Sequence, residues 1–144
     1  MPASQGRTDD VGEHPSRIRR RLVPDEAQVQ IILGSLLGDA RIEGGAGARR
    51  LSISEAAPRE RYVWWKYERL AALADESPMT RDGRVSFSTI AHPLFDEVIA
   101  LPRTRLAGLL TALGRSVRRT DELSHGPVRI SDLRQDEQCD LIRE

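Results

Sequence analysis

Residues 32–40 read Ile32-Leu33-Gly34-Ser35-Leu36-Leu37-Gly38-Asp39-Ala40, and this stretch decides the fold. Together with Val29, the residues Ile32, Leu33, Leu36 and Leu37 recur at spacings of three and four, the stripe of an amphipathic helix. Pro24 predicts the start, because proline suits the first helical position, and Asp25 and Glu26 then complement the positive end of the helix dipole. Gly34 and Gly38 sit four residues apart, although each glycine costs a helix roughly 1 kcal/mol against alanine. Two on one face imply close approach of another backbone, by the logic of small-residue helix contacts. Asp39 then places a carboxylate at the negative end of the helix, where it is electrostatically out of place.

Beyond this helix the apolar period drops to two. Residues 40–43 alternate, Gly44-Gly45-Ala46-Gly47 forms a flexible turn, and Arg50–Ser54 alternates again with Leu51 and Ile53 apolar. Pro58 opens a second helix, PRERYVWWKYERLAALA, which holds four of the chain's six aromatic residues and is a main core element. Lys66 within it reads as structural. Asp82-Gly83 is a hairpin turn joining residues 78–81 to residues 84–89, and His92-Pro93 starts a third helix that ends before Pro102. The order is α-β-β-α-β-β-α: an α+β fold with four antiparallel strands and helices on one face. Ile42, Leu51, Ile53, Val85 and Phe87 should point to the helices. Arg41, Glu43, Arg50, Ser52, Ser54, Arg81, Arg84, Ser86 and Ser88 should share the other face. Arginine and serine on a twisted sheet suit the major groove, where arginine forks to guanine. An ordinary solvated sheet face would read the same way.

The 144 residues suit one domain. Equal numbers of basic and acidic residues, 22 each, exclude a global basic field, so a polyanion site must be a local patch. Of the basic residues all but Lys66 are arginine, which leaves no spare lysine for lysine-dependent catalysis. No apolar run is long enough for a membrane, and the single Cys139 excludes an internal disulfide and points to a reducing, cytoplasmic compartment. Residues 1–22 read as a disordered arm without the apolar stretch of a secretory peptide; Arg17, Arg19, Arg20 and Arg21 within it are a solvated charge run or a phosphate contact. Residues 23–101 form the folded domain and residues 102–144 a helical tail, including a helix over 132–143. Asp121, Glu122, Asp136, Glu137 and Asp140 read as solvated charges of that tail. His14, His92 and His125 are too scattered to pair with Cys139 on a metal, and His92 reads as a turn or cap before Pro93. No phosphate-loop, serine-elbow or HExxH motif occurs.

ILGSLLGDA resembles the LAGLIDADG motif, with its apolar helix, small packing residues and terminal acid. RLSIS at 50–54, RYVWWKYERL at 61–70 and VSFSTIAHP at 85–93 resemble the strand, helix and strand-to-helix segments that follow it in that family, so the likeness spans about residues 24–101. The resemblance implies a homing endonuclease: αββαββα, the sheet astride double-stranded DNA, with mobility of an intron or intein. It implies that two motif helices pack about a two-fold axis and that their acids hold a divalent metal, Mg²⁺, for phosphodiester hydrolysis. A cation there would resolve the placement of Asp39. Carried over, Asp39 is the catalytic acid and metal ligand, the Gly38 carbonyl a further ligand, and Gly34 and Gly38 the helix contacts. With one good motif, a working enzyme would be a homodimer. Neither a membrane nor a small-molecule cofactor is implied. LAGLLTALG at 106–114 spells a near-copy with Leu113 in place of the acid, either a plain amphipathic helix or a decayed second motif. The alternative to cleavage is a non-cleaving DNA-binding regulator or a degenerate member of the same fold.

Overall fold

The computed structural model describes residues 22–123. The predicted arm up to residue 21, the helix over 132–143, His14, His125, Cys139 and the acids at 136, 137 and 140 lie outside the described residues. The elements run α1 (Glu26–Leu37), β1 (Arg41–Glu43), β2 (Arg50–Ala56), α2 (Glu60–Leu70), β3 (Met79–Arg81), β4 (Arg84–Ser88), α3 (Pro93–Ile99), α4 (Arg103–Ala107) and α5 (Ala112–Glu122). Short 3-10 turns flank α2 at Ala57–Arg59 and Ala71–Leu73. The four strands form one antiparallel sheet in the order β1-β2-β4-β3, so the α+β class and the predicted pairing hold.

Local chemistry sets the element ends. The start of α1 differs from expectation: Pro24 stays outside and Asp25 is the N-cap. The Asp25 side chain accepts from the Gln28 N–H at 2.8 Å, and the Gln28 side chain accepts from the Asp25 N–H at 3.0 Å. This reciprocal box satisfies two N–H groups that a proline start would leave open. The Asp82-Gly83 turn has positive φ at both residues, 53° and 77°, which matches the twist of the hairpin. His92 caps α3, its Nδ1 accepting from the Leu94 N–H at 3.0 Å.

The inner face of the sheet is apolar as read: Leu51, Ile53, Val85 and Phe87 are buried, and Ile42 is half-buried. Against it lies α1, buried almost all round, because it is sandwiched between the sheet with α2 on one side and α5 on the other. The packing does not break at residue 101. Leu106, Leu110, Leu113 and Val117 belong to the same core cluster as Ile31 and Phe95, so residues 102–123 are built into the domain rather than trailing from it.

The side of α1 that carries Gly34 and Gly38, expected to meet a second copy, is covered by α5 of the same chain. A Cβ on Gly34 would stand 2.8 Å from Val117 Cβ, and one on Gly38 would stand 2.8 Å from Asp121 Cγ. Both pairs have the same separation in sequence, so α1 and α5 run side by side in parallel. Gln30 fastens the N-terminal end of the seam: its Oε1 accepts from the Thr111 N–H at 2.7 Å and its Nε2 donates to the Leu109 carbonyl at 3.1 Å. LAGLLTALG does not form one helix; it runs from the end of α4 through a turn into the first turn of α5. Gly34→Val is expected to cost about 1–3 kcal/mol by overpacking this seam, against a backbone atom that cannot retreat. Thermal melting followed by circular dichroism checks it: unchanged melting would mean that the seam is loose.

Candidate nucleic-acid interface and acidic site

The register brings the predicted polar residues onto one face. Arg41 pairs with Ser52 and Ser52 with Ser88; Ser54 pairs with Ser86; Arg84 pairs with Arg81. Arg50 stands beside Glu43. Arg41, Arg50, Arg81 and Arg84 are exposed and the four serines are half-buried. Two arginines are already oriented. Arg84 Nε donates to Ser54 Oγ at 2.9 Å, and Arg50 lies 3.8 Å from the Asp75 carboxylate, an exposed pair that does little for stability. Met79, exposed beside Ser86, interrupts the polar rows.

Asp39 is exposed just past the end of α1. Two other carboxylates meet it: one oxygen from each of Asp39, Glu55 and Asp121 lies within 4.8 Å of the others. Glu55 comes from β2. The strand runs two residues beyond the predicted Ser54, and its alternation carries Leu51, Ile53 and then Glu55 onto the inner face. A charge continuing an apolar row was the available signal. Asp121 comes from the last turn of α5 and has no exposed surface, so the reading of it as a solvated tail charge is overturned. Its side chain turns into the seam against Gly38, where Lys66 and Tyr62 from α2 reach it. Glu122, its neighbour, is the exposed one, and lies 3.3 Å from Arg118.

Basic side chains hold this arrangement. Arg59, buried, donates to Glu55 Oε1 at 2.7 Å and to the carbonyls of Thr120 at 2.6 Å and Leu123 at 2.8 Å, placing positive charge on the C-terminal end of α5. Arg103 does the same for α1, donating to the Leu37 carbonyl at 2.7 Å. Lys66 Nζ donates to both Asp121 oxygens, at 2.9 and 3.2 Å, and lies 4.6 Å from the Tyr62 ring centre. The backbone N–H of Asp39 donates to Asp121 Oδ2 at 3.1 Å. The Gly38–Asp39 peptide is trans, so the Gly38 carbonyl points away from that carboxylate.

Burial, then the Asp121 charge, raises the Asp39 pKa above the ordinary aspartate value, against the pull of Lys66, Arg59 and Arg84. Glu55 is raised by the same two causes in the same order, opposed by Lys66 and Arg59. Burial and the Asp121 carboxylate hold the Tyr62 phenol well above its usual range.

The donor set fits a hard cation. Oxygen ligands are what Mg²⁺ takes, and Glu55 Oε2 is buried with no hydrogen-bond partner among the described residues. Three carboxylates face two buried cations, Lys66 and Arg59, which leaves one negative charge over.

The LAGLIDADG DNA endonuclease family profile matches residues 29–102. This chain belongs to that family. Among curated proteins none matches. In fold, the chain is similar to a solved structure described as the homing endonuclease I-WcaI bound to its DNA recognition sequence, with a TM-score of 0.59 at 14% identity. The match covers 79% of this chain and 61% of that one, so the chain spans less than two thirds of the length of its structural neighbour. The family match ends before α5, so Asp121 and its partners come from the structure. Among the described residues, no helix is long and apolar enough to cross a membrane.

Two outcomes follow. Lys66→Met strands the buried Asp121 carboxylate and should cost about 3–5 kcal/mol in urea unfolding. A carboxyl whose folded pKa lies above its unfolded value binds more protons when folded, so it withdraws stability as pH rises through that window. Asp39→Asn should therefore melt higher than the parent protein, by a margin that widens from about pH 4 towards pH 7. A margin constant with pH would mean that Asp39 is fully solvated.

Proposed function

We propose that the chain acts as a site-specific double-stranded DNA endonuclease of the homing type, its sheet lying in the major groove and its acids holding a divalent cation, Mg²⁺ by preference. The observation that carries this reading is the orphaned Oε2 of Glu55, a buried carboxylate that clusters with the exposed Asp39. Family membership supports DNA as the substrate, and the rows of exposed arginines and half-buried serines support the sheet as the surface that meets it. With α5 of the same chain on the glycine face of α1, the homodimer expected from the single motif would have to pair through another surface.

The residues divide the work. Arg41, Arg50, Arg81 and Arg84, with Ser52, Ser54, Ser86 and Ser88, orient the duplex through base edges and phosphates. Asp39 and Glu55 would hold the cation, while Arg59 and Arg103 fix the helix ends behind them. The cation, when bound, neutralises charge developing on the phosphate and activates water. The Gly38 carbonyl, aimed away from Asp121, is a weaker ligand candidate than the carboxylates.

Incubating the protein with a randomised duplex library and Mg²⁺, then sequencing the ends, tests the reading. Cut ends sharing a sequence are expected. Bound but uncut duplex would favour the non-cleaving regulator. Asp39→Asn should abolish cleavage while leaving DNA affinity equal or higher, since a negative group near phosphate is lost. Arg→Ala at a base-reading position should cost about 1–3 kcal/mol and relax preference there, whereas at a phosphate contact it should lower the salt slope by about one. Unchanged binding for all four arginine variants would exclude the sheet face as the DNA-binding surface.

A further inference from the structure

We propose that Asp121 and Lys66 are positioning residues rather than metal ligands, and that the cation site rests on Asp39 and the free oxygen of Glu55. The inference deepens the metal reading above and rests on it.

The three carboxylates that meet are not equivalent. A carboxylate offers about four lone-pair sites. Those of Asp121 are all used: Oδ1 accepts from the Tyr62 hydroxyl and from Lys66 Nζ, and Oδ2 accepts from Lys66 Nζ and from the Asp39 N–H. The group has no exposed surface. A cation on Asp121 would have to displace one of these donors and leave it buried without a partner, at a cost the exchange does not return. Lys66 sharpens the point, since its side chain is 1% exposed and Asp121 is the counter-ion the structure gives it. Glu55 is the converse case. Arg59 occupies its Oε1, while Oε2 is buried and unpartnered, the state expected of an oxygen waiting for a ligand. Asp39 stands at the surface where an ion with its waters can enter.

The geometry also says what the ion pair does. Asp39 lies past the last turn of α1, and Asp121 supplies the acceptor for its N–H. Lys66, from α2, holds Asp121 from behind, and Gly38 leaves room for it. Three helices thus fix one backbone amide, and through it the start of the Asp39 side chain.

Side-chain NMR of the full chain, labelled with ¹³C and ¹⁵N and titrated with Mg²⁺, separates the roles. The expected result is saturable shifts of Asp39 Cγ and Glu55 Cδ, with Asp121 Cγ and Lys66 Nζ unmoved. Asp121 shifting along with the other two would overturn the assignment and leave the metal reading standing. No shift at any of the three would remove the metal reading, and this assignment with it. The double variant Lys66→Met/Asp121→Leu removes both buried charges together. Its Asp39 amide should exchange with solvent at least tenfold faster relative to core amides, and its Mn²⁺ affinity should fall by about tenfold, the low end for loss of a supporting group. Asp39→Asn or Glu55→Gln should instead leave no saturable Mn²⁺ binding. A folded double variant that binds no Mn²⁺ would make Asp121 a ligand and overturn the proposal.

Discussion

Close approach of the α1 and α5 backbones is the constraint on which the rest depends. Gly34 and Gly38 would each bring a side chain against α5, as Gly114 would against Gln30, so these helices meet only because Cβ atoms are absent there. That proximity brings Asp121 to the end of α1, and it draws the lone lysine of the chain into the interior as its partner. The two glycines weaken α1 as an isolated helix, and tertiary packing makes good the loss.

Electrostatics at the same end of the molecule follow from this packing. Two parallel helices direct two C-termini, each with partial negative charge, toward one place, and three carboxylates gather there as well. Arg59 and Arg103 answer the helix ends and Lys66 answers one carboxylate. Among the described residues the buried cations leave one negative charge over, which is why the region suits a cation. The outer sheet face carries the opposite sign a short distance away, and a polyanion would be drawn to that face rather than to the acids.

Much of this was legible in the sequence because it rests on local rules. The strand alternation at 50–54 and 84–88, the Asp82-Gly83 turn and the glycine spacing in α1 each state their geometry within a few residues. The partner of α1 was not legible. On α5 the buried residues are Leu113, Gly114, Ser116, Val117 and Asp121, of which only Leu113 and Val117 are large and apolar. Such a face is recognisable only beside the glycines it meets, far away in the sequence. The near-copy LAGLLTALG misdirected the reading for the same reason: its letters match the motif, but the helix that pairs with α1 begins only as that string ends. Glu55 was missed because the expected strand stops one alternation early, and Arg59 because its partners lie at the far end of α5 as well as on β2. Lys66 was read as structural, and it is buried, but only the fold shows which acid it serves.

The pairing of the first described helix with the last one has a consequence in time. During synthesis α1, the sheet and α2 emerge well before Ala112–Glu122 exists, so the glycine face of α1 and the ammonium of Lys66 must wait without partners. Contacts between segments so distant in the chain are closed late and at high entropic cost. Nascent chains should therefore pass through a stage in which the arginine face is complete while the acidic site is not, and in that interval an exposed apolar helix face is open to chaperones and to other copies of itself.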